Sequence, residues 1–248
     1  MKKKIIITGV AVFFLLVVYL FAAHHYIYKR ISDAGLKSSD TNGEYIIRSS
    51  VNNETSLRYT ALGDSLTAGV GVLKYEESFP YQLAQKMSGN NSNIILRDRA
   101  YPGAKTSDLI RDLLTTAIND RPDIITLLIG VNDIHGNVSK KEFAKNYAEI
   151  LRRLKAETKA KIFVISIPYI GTDKLFLPPY DSYFKQETIE YNKIIKELAQ
   201  VNNVEYVDLY TPTENMFKNT ALCSIDLFHP SAEGYSLWSE IIYANFNK

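Results

Sequence analysis

With 248 residues, 46% of them hydrophobic and 23% charged, the chain has the size and composition of a globular domain, which argues against an intrinsically disordered protein. Residues 1–30 hold five of the 29 basic residues and no acidic one, so the remainder carries 24 basic against 27 acidic residues. The resulting net charge of −3 on that remainder provides no basic surface for nucleic acid, and we expect no nucleic-acid partner.

The first element in chain order is an uncharged apolar run from Ile5 to Ala23, which follows three lysines. At a rise of about 1.5 Å per residue, this run approaches the ~30 Å thickness of the hydrocarbon core of a bilayer, and we predict a transmembrane helix. The lysines place its N-terminus inside the cell and the rest of the chain outside, as a single-pass protein of the cell membrane.

A cleaved signal peptide is the alternative interpretation of this run, and the protein would then be secreted. Phe21 stands where a cleavage site requires a small residue, which favours an uncleaved signal anchor over residues 1–30. Residues 31–56 are rich in Ser, Asn and Thr, and this composition predicts a flexible linker.

From residue 57 to residue 248, short apolar runs alternate with helical patterns. The predicted strands are Arg58–Leu62, Ile94–Leu96, Ile124–Ile129, Ile162–Ile167 and Val204–Val207. The predicted helices cover residues 78–88, 106–118, 140–158, 184–201 and 231–246. The strands are continuous apolar runs, which is typical of a parallel sheet covered on both faces.

These patterns predict an α/β domain with a three-layer α/β/α sandwich and a mostly parallel sheet of about five strands, preceded by one transmembrane helix. In such sheets the functional site lies at the carboxyl ends of the strands. The residues that directly follow the strands are therefore the first candidates for chemistry.

Ser65 follows the first strand of this domain, within the sequence Gly63-Asp64-Ser65-Leu66. A serine at a strand-to-helix turn presents its hydroxyl at the sheet edge, and its backbone N–H lies near a helix N-terminus, where it can stabilise negative charge. The alternative is structural, since Asp64 or Ser65 can simply cap the helix.

Near the C-terminus, Asp226 precedes His229 by three residues, so that its carboxylate can reach the imidazole from one turn. A histidine oriented by a carboxylate is the base that a serine nucleophile needs, because a free hydroxyl is a poor nucleophile at neutral pH. The alternative is a loop histidine beside a helix start, with Ser231 as the helix cap.

Gly103 and Asn132 follow the second and third strands. The Asn132 amide can donate a hydrogen bond to an oxyanion, and a glycine lets its backbone N–H approach a ligand closely. Each residue also suits an ordinary turn, since Pro-Gly and Asn-Asp are turn formers. The occurrence of four such signals after the strands favours a single site.

Together these motifs resemble those of the GDSL, or SGNH, hydrolase family, and the resemblance covers the α/β domain but not the segments before it. It implies a flavodoxin-like SGNH fold and hydrolysis of carboxylic esters through an acyl-enzyme. The predicted anchor, and not the resemblance, makes this catalytic domain extracytoplasmic. It also implies that Ser65 is the nucleophile, that His229 is the general base and that Asp226 orients the histidine. By the same resemblance, the oxyanion hole consists of the N–H groups of Ser65 and Gly103 and the Nδ2 group of Asn132.

The family includes lipases, lysophospholipases, thioesterases and sugar O-acetyl esterases, so the resemblance leaves the substrate open. The first expectation is an acyl ester of a lipid or another small molecule. The alternatives are an O-acetyl ester of a cell-wall polysaccharide at the cell surface, or a non-catalytic surface module that binds glycan or lipid.

The segment after the fourth strand is long for a connection in an α/β domain, and long connections are often functional. It contains Leu175, Phe176 and Leu177. One interpretation is that these side chains form an apolar acyl pocket. The other is that they pack under the loop as a satellite of the core.

We expect no cofactor and no metal. The single cysteine, Cys223, cannot form an intrachain disulfide, and a lone cysteine is typically a small buried apolar residue. The sequence Gly69-Val70-Gly71 lacks the third glycine of a phosphate-binding loop. His135, close after Asn132, is near enough to touch the site, but the favoured interpretation is a surface-loop histidine.

Overall fold

The computed structural model of the chain describes residues 2–38, 43–49, 55–89, 92–169 and 171–246. Within these residues six strands form one sheet: β1 (Glu44–Ile47), β2 (Ser56–Gly63), β3 (Asn93–Ala100), β4 (Ile124–Leu128), β5 (Lys161–Ile165) and β6 (Glu205–Val207). Their order is β1-β3-β2-β4-β5-β6. All neighbouring strands pair in parallel except β1, which lies antiparallel to β3 at one edge.

The helices are α1 (Lys2–Asp33), α2 (Phe79–Ser88), α3 (Thr106–Asp108), α4 (Leu114–Asn119), α5 (Val131–His135), α6 (Lys140–Glu157), α7 (Tyr180–Val201), α8 (Tyr210–Thr213) and α9 (Ala232–Tyr243). A π-helical turn, Leu109–Leu113, joins α3 to α4, and short 3-10 helices cover Tyr75–Glu77, Met216–Lys218 and Thr220–Leu222.

The order of the strands explains why helices cover both faces of the sheet. The chain moves from β2 to β3 in one direction along the sheet, and from β4 through β5 to β6 in the other. Because such crossovers are right-handed, α2 lies on one face and α6 and α7 on the other. α2 packs against α9, and α6 packs against α7. The predicted three-layer sandwich and its parallel strands are confirmed.

The central strands β4 and β5 are mainly apolar because both of their faces are covered. In β4 and β5 every residue after the first is buried, including Leu127, Phe163 and Val164. Such residues lose contact with water on either side of the sheet, and this burial is the main favourable contribution to folding. β3 lies nearer the edge, and its residues alternate between buried and half-buried.

The linker predicted for residues 31–56 contains β1, so the prediction is wrong for residues 44–47. Tyr45 stacks on Tyr75 with 4.6 Å between the ring centroids, and Ile47 is buried in the core. A strand of four residues is too short for its apolar pattern to stand out within a polar segment. The rest of the predicted linker lies partly outside the described residues.

α1 is one helix of 32 residues whose two halves have different surroundings. Between Ile7 and Val18 its large apolar side chains are 46–67% exposed, whereas Ala23 and Ile27 are 3% and 0% exposed. Ile27 belongs to the hydrophobic core of the α/β domain. The helix is long and apolar enough to cross a membrane, and only its second half packs on the domain.

Candidate active site

Ser65, Asp226 and His229 lie together at the carboxyl edge of the sheet, beyond the end of β2. The Nε2 atom of His229 is 3.0 Å from the Oγ atom of Ser65. Its Nδ1 atom is 2.6 Å from the Oδ2 atom of Asp226. All three side chains are buried. Hydrogen bonds therefore connect the carboxylate through the imidazole to the hydroxyl, an arrangement that can take a proton from the serine and stabilise the imidazolium that forms.

The backbone around Asp226 is shaped to hold its side chain as a carboxylate. The Oδ1 atom accepts hydrogen bonds from the Ser224 hydroxyl at 2.6 Å and from the N–H groups of Phe228 and His229 at 2.9 and 3.0 Å. Leu227 lies between these donors with a φ of 63°, an uncommon value for a residue other than glycine. Burial raises the pKa of Asp226, but the interactions with His229 and Ser224 outweigh burial and hold that pKa below its ordinary value.

Close packing joins the turn that carries the serine to the loop that carries the histidine. Gly71 has a φ of 110°, and a Cβ atom there would lie 2.3 Å from the carbonyl oxygen of Pro230 and 3.1 Å from the Cβ atom of His229. The Tyr235 hydroxyl also donates a hydrogen bond to the Val70 carbonyl at 2.7 Å. A side chain at position 71 would therefore push the two segments apart.

Gly103 and Asn132 line the same cavity as Ser65 and His229. Gly103 has a φ of 85°, which favours glycine, and the Nδ2 group of Asn132 donates to the Ala104 carbonyl at 3.1 Å. Within the described part of the chain, the backbone N–H groups of Ser65 and Gly103 donate to no protein acceptor. Donors placed in this way can hydrogen-bond to a negatively charged oxygen beside the serine hydroxyl.

Asp64 is a buried carboxyl group directly before the serine. Its Oδ1 atom accepts a hydrogen bond from the Leu66 N–H at 3.0 Å, so it caps this turn, and the helix α2 begins only at Phe79. Burial raises the pKa of Asp64 to about 7; the hydrogen bond from Leu66 opposes this rise and the nearby Asp133 adds to it. The sequence does not reveal this raised pKa, because it depends on how deeply the turn is buried.

A cavity of about 420 Å³ opens in front of Ser65. It is lined by Tyr28, Ile31, Ser32, Leu36, Ser65, Val70, Pro102, Gly103, Asn132, His135, Phe228 and His229. The first four of these residues belong to α1 and the segment directly after it, which the sequence predicts only as anchor and linker. Sequence patterns therefore did not identify α1 and the segment after it as one wall of the cavity.

His135 is not the surface-loop histidine that the sequence suggests. Its ring is stacked on Phe184 with 4.3 Å between the ring centroids, and its Nδ1 atom is 3.1 Å from the hydroxyl of Tyr28. Burial, together with the nearby His24, lowers the pKa of His135 to about 4. The ring is therefore neutral at pH 7 and contributes no charge to the cavity that it lines.

The structure does not bring Leu175, Phe176 or Leu177 to this cavity. Leu175 and Phe176 are buried in the hydrophobic core, and Leu177 is half-buried. The rings of Phe176 and His135 are stacked with 6.1 Å between their centroids, so Phe176 supports a residue of the cavity wall from behind. The packing alternative, and not the acyl-pocket wall, describes where these side chains lie.

Cys223 is buried, and burial raises the pKa of its thiol to about 12, with the charge of Asp226 adding to the rise. The thiolate, which is the nucleophilic form, is therefore scarce at neutral pH. Among the residues that the structure describes, no group of three or more His, Cys, Asp or Glu side chains is arranged to hold a metal ion.

Residues 61–237 match the family model described as the GDSL-like lipase/acylhydrolase family. The spore germination lipase LipC of Bacillus licheniformis is 28% identical over 211 residues, which are 76% of this chain and 96% of that protein. The lipase/acylhydrolase from Enterococcus faecalis superposes with a TM-score of 0.63 at 21% identity, over 76% of this chain and 94% of its own. Axe2, an acetylxylan esterase from Geobacillus stearothermophilus, superposes with a TM-score of 0.62 at 16% identity, over 82% and 96% of the two chains. At these identities the two structural likenesses show a common fold.

Proposed function

Because the chain belongs to the GDSL-like lipase/acylhydrolase family, we propose that it hydrolyses carboxylic esters through an acyl-enzyme formed on Ser65. The observation that carries the proposal is the pair of hydrogen bonds by which His229 connects Ser65 to Asp226. A serine hydroxyl becomes a useful nucleophile only when an adjacent base takes its proton.

In the proposed mechanism, the Oγ atom of Ser65 attacks the carbonyl carbon of the ester while the Nε2 atom of His229 takes its proton. Asp226 stays ionised and stabilises the imidazolium. His229 then gives the proton to the leaving alcohol oxygen as the C–O bond breaks, and the acyl group remains on the serine. Water attacks this acyl-enzyme and gives a proton to His229, which returns it to Ser65 as the acid leaves.

The tetrahedral intermediates of both steps carry a negative oxygen, which the N–H groups of Ser65 and Gly103 and the Nδ2 group of Asn132 stabilise. This proposal is supported by their position around one cavity and by the Ala104 carbonyl, which orients the Asn132 amide. Donors fixed before the reaction need no reorganisation when the charge develops.

The proposed substrate is the acyl ester of a lipid. The cavity in front of Ser65 is lined by apolar side chains such as Ile31, Val70 and Phe228, and none of its described lining residues is Lys, Arg, Asp or Glu. A surface of this kind suits a hydrocarbon chain better than a sugar. The similarity to a protein named as a spore germination lipase supports lipid esters as the substrate class. Because Axe2 is named as an acetylxylan esterase, acetyl esters are the competing substrate class.

We also propose that α1 is an uncleaved signal anchor that holds the domain on the outer side of the cell membrane. The exposed apolar side chains between Ile7 and Val18 form a continuous apolar surface, whose contact with water is unfavourable and which a bilayer would cover. The burial of Ala23 and Ile27 against the domain supports retention of the helix, since cleavage near residue 24 would remove part of this packing.

The test is to label the full-length protein in membranes with a fluorophosphonate and to measure hydrolysis of p-nitrophenyl octanoate. We expect the label on Ser65, found by mass spectrometry of the peptide, with loss of ester hydrolysis on labelling. Ser65→Ala should take no label. If the unmodified chain neither takes the label nor hydrolyses any ester, it is a binding module that keeps the fold without the chemistry.

A further inference from the structure

The last four turns of α1, from Leu20 to Asp33, pack on the domain through one face. The residues on this face are spaced three or four positions apart, as expected for one side of a helix, and Ile27 and Tyr28 are neighbours. They are Leu20, His24, Ile27, Tyr28 and Ile31. Ile27 is completely buried on this face. The helix is therefore a structural part of the domain from Leu20 onward.

Polar contacts fix the docked half of α1 at both of its ends. At the membrane end, the Tyr180 hydroxyl donates a hydrogen bond to the Leu20 carbonyl at 3.0 Å. At the other end, the Arg30 guanidinium donates to the carbonyl of Ile225 at 3.2 Å. Ile225 directly precedes Asp226, so α1 touches the loop that carries the proposed catalytic carboxylate.

The cavity in front of Ser65 borders a second cavity of about 460 Å³ that runs along α1. Tyr28 and His135 line both cavities and form the boundary between them. The second cavity reaches Tyr180 and Leu20, and Leu20 lies about 12 Å from Tyr28 along α1 at 1.5 Å per residue. The two cavities therefore lie end to end along the helix, from the serine to Leu20, and the contact between the Tyr28 hydroxyl and the Nδ1 atom of His135 separates them.

The outer end of the second cavity lies where the exposed apolar half of α1 begins. Three tyrosines lie near this end: Tyr19, Tyr180 and Tyr183. The Tyr19 hydroxyl donates a hydrogen bond to the Pro178 carbonyl at 2.7 Å. Tyrosine side chains are enriched at the boundary between a bilayer and water, because the ring is apolar and the hydroxyl is polar. When the apolar run from Ile5 to Ala23 spans the bilayer, Leu20 lies near the outer end of the span, so the mouth of the second cavity lies at the outer boundary of the membrane.

We propose that the docked half of α1 is one wall of the ester-binding site, and that it guides the acyl chain of a lipid ester from the outer leaflet of the membrane to Ser65. Tyr28 and Ile31 are the residues of α1 that contact this chain next to the serine. The inference rests on the proposed ester hydrolysis and on retention of the helix, and it assigns to the anchor a part in substrate selection.

The test compares acyl esters of two lengths on the full-length protein reconstituted in phosphatidylglycerol vesicles. Tyr28→Ala and Ile31→Ala should each lower kcat/KM for p-nitrophenyl octanoate by about tenfold, because apolar contact with the chain is lost. The same variants should change kcat/KM for the acetate by less than about twofold. Tyr26→Ala is the matched control: Tyr26 is 40% exposed against 36% for Tyr28, but it lines neither cavity, and both activities should be unchanged.

A second measurement asks where the substrate comes from. A fluorogenic long-chain ester placed in the vesicles that hold the enzyme should be hydrolysed at least tenfold faster than the same ester in separate vesicles. Equal rates would overturn the proposed route. The proposed wall would be refuted if the Tyr28 and Ile31 variants lost kcat/KM equally on octanoate and acetate, or lost none on either ester. A mature chain that begins near residue 24 would also refute it.

A measurement of ligand binding without hydrolysis tests the role of α1 independently of the proposed reaction. In a Ser65→Ala background, Tyr28→Ala should weaken the binding of a fluorescent dodecyl ether by about tenfold, with Tyr26→Ala again as control. If no ester is hydrolysed by the unmodified chain but this difference in binding is found, the reaction is refuted and the role of α1 stands. If hydrolysis occurs and the binding difference is absent, only the role of α1 is refuted.

Discussion

The Nε2 atom of His229 lies 3.0 Å from the Oγ atom of Ser65, although the two residues are 164 positions apart in the chain. The serine is held in a turn capped by Asp64, and the histidine in a loop organised around Asp226. Gly71 lets these two pieces of backbone meet, because no side chain stands between it and Pro230. The proposed chemistry thus depends on packing between two distant segments as much as on the residues themselves.

Asp226→Asn tests the role of the carboxylate. An asparagine keeps an oxygen that can accept hydrogen bonds from Ser224 and the backbone, but it cannot stabilise a positively charged His229. We expect kcat to fall by on the order of 10³–10⁴ while circular dichroism shows an intact fold. Ser65→Ala provides the zero point of the assay. A kcat within tenfold of the unmodified enzyme would refute the orienting role of Asp226.

Asn132→Ala tests the proposed oxyanion hole. Loss of one preorganised donor should lower kcat by on the order of 10²–10³ with a small change in KM, because the hydrogen bond is made in the transition state. Asn119→Ala, at the exposed end of α4, is the control and should leave kcat unchanged. If Asn132→Ala has the same kcat as this control, the amide does not contact the oxyanion.

Asp64→Asn should flatten part of the dependence of stability on pH. The pKa of Asp64 is raised from 3.8 to about 7, so in the unfolded chain this carboxyl loses its proton at a lower pH than in the folded protein. Its contribution to the free energy of unfolding is therefore complete below about pH 4 and is lost as the pH rises towards 7. Between pH 4.5 and 7.5, the decrease in this free energy should be smaller in Asp64→Asn by about 3 kcal/mol.

Urea unfolding in detergent micelles at the two pH values measures the effect of Asp64→Asn. The exposed Asp208 provides a control, since Asp208→Asn removes a carboxylate without changing the interior. Identical pH dependence in Asp64→Asn and the unmodified protein would mean that Asp64 is ionised in the folded chain at pH 4.5.

Phe176→Ala should act on stability and not on acyl selectivity. Phe176 is buried and packs on Phe184 with 5.0 Å between the ring centroids, so its loss leaves a cavity that should cost about 3–5 kcal/mol of unfolding free energy. The half-buried neighbour Leu177 is the control, and Leu177→Ala should cost about 1 kcal/mol. Unchanged stability in Phe176→Ala with a selective loss on octanoate would restore the acyl-pocket interpretation.

The proposed anchor predicts that the protein stays in the membrane pellet after alkaline carbonate treatment, with its active site accessible from outside. A chain lacking residues 1–18 removes the exposed half of α1 but keeps the docked half, and it should be recovered in the supernatant. Mass spectrometry of the mature protein completes the test. A soluble species that begins near residue 24 in untreated cells would identify the segment as a cleaved signal peptide.

The five parallel strands could be predicted from the sequence because strands covered on both faces are mainly apolar, as β4 and β5 are apart from Thr126 and the terminal Lys161. The candidate residues could be predicted together because each follows a strand or precedes the last helix, and the fold brings these positions to one edge. The distances between them, and the raised pKa of Asp64, follow from side-chain packing that no local pattern records.

The docking of α1 could not be predicted, because lipid and a protein core select the same side chains. Ala23 and Ile27 are as apolar as Val17 and Val18, yet the first two are buried by the domain and the last two are exposed on the free half of the helix. The side chains of Leu175 and Phe176 present the same difficulty. Their apolar character indicates burial but does not specify which surface buries them.

The docked helix also limits how far the active site can travel. A flexible tether over residues 31–56 would have a root-mean-square length of roughly 28 Å, so the domain could reach polymers above the membrane. Here the chain reaches the domain before that segment begins, so the segment connects two parts that already touch. With the anchor in place, the serine would stay at a fixed height over the lipid surface. Its turnover would then depend on the number of ester molecules per unit area of that one membrane, and polymers farther out would remain beyond its reach.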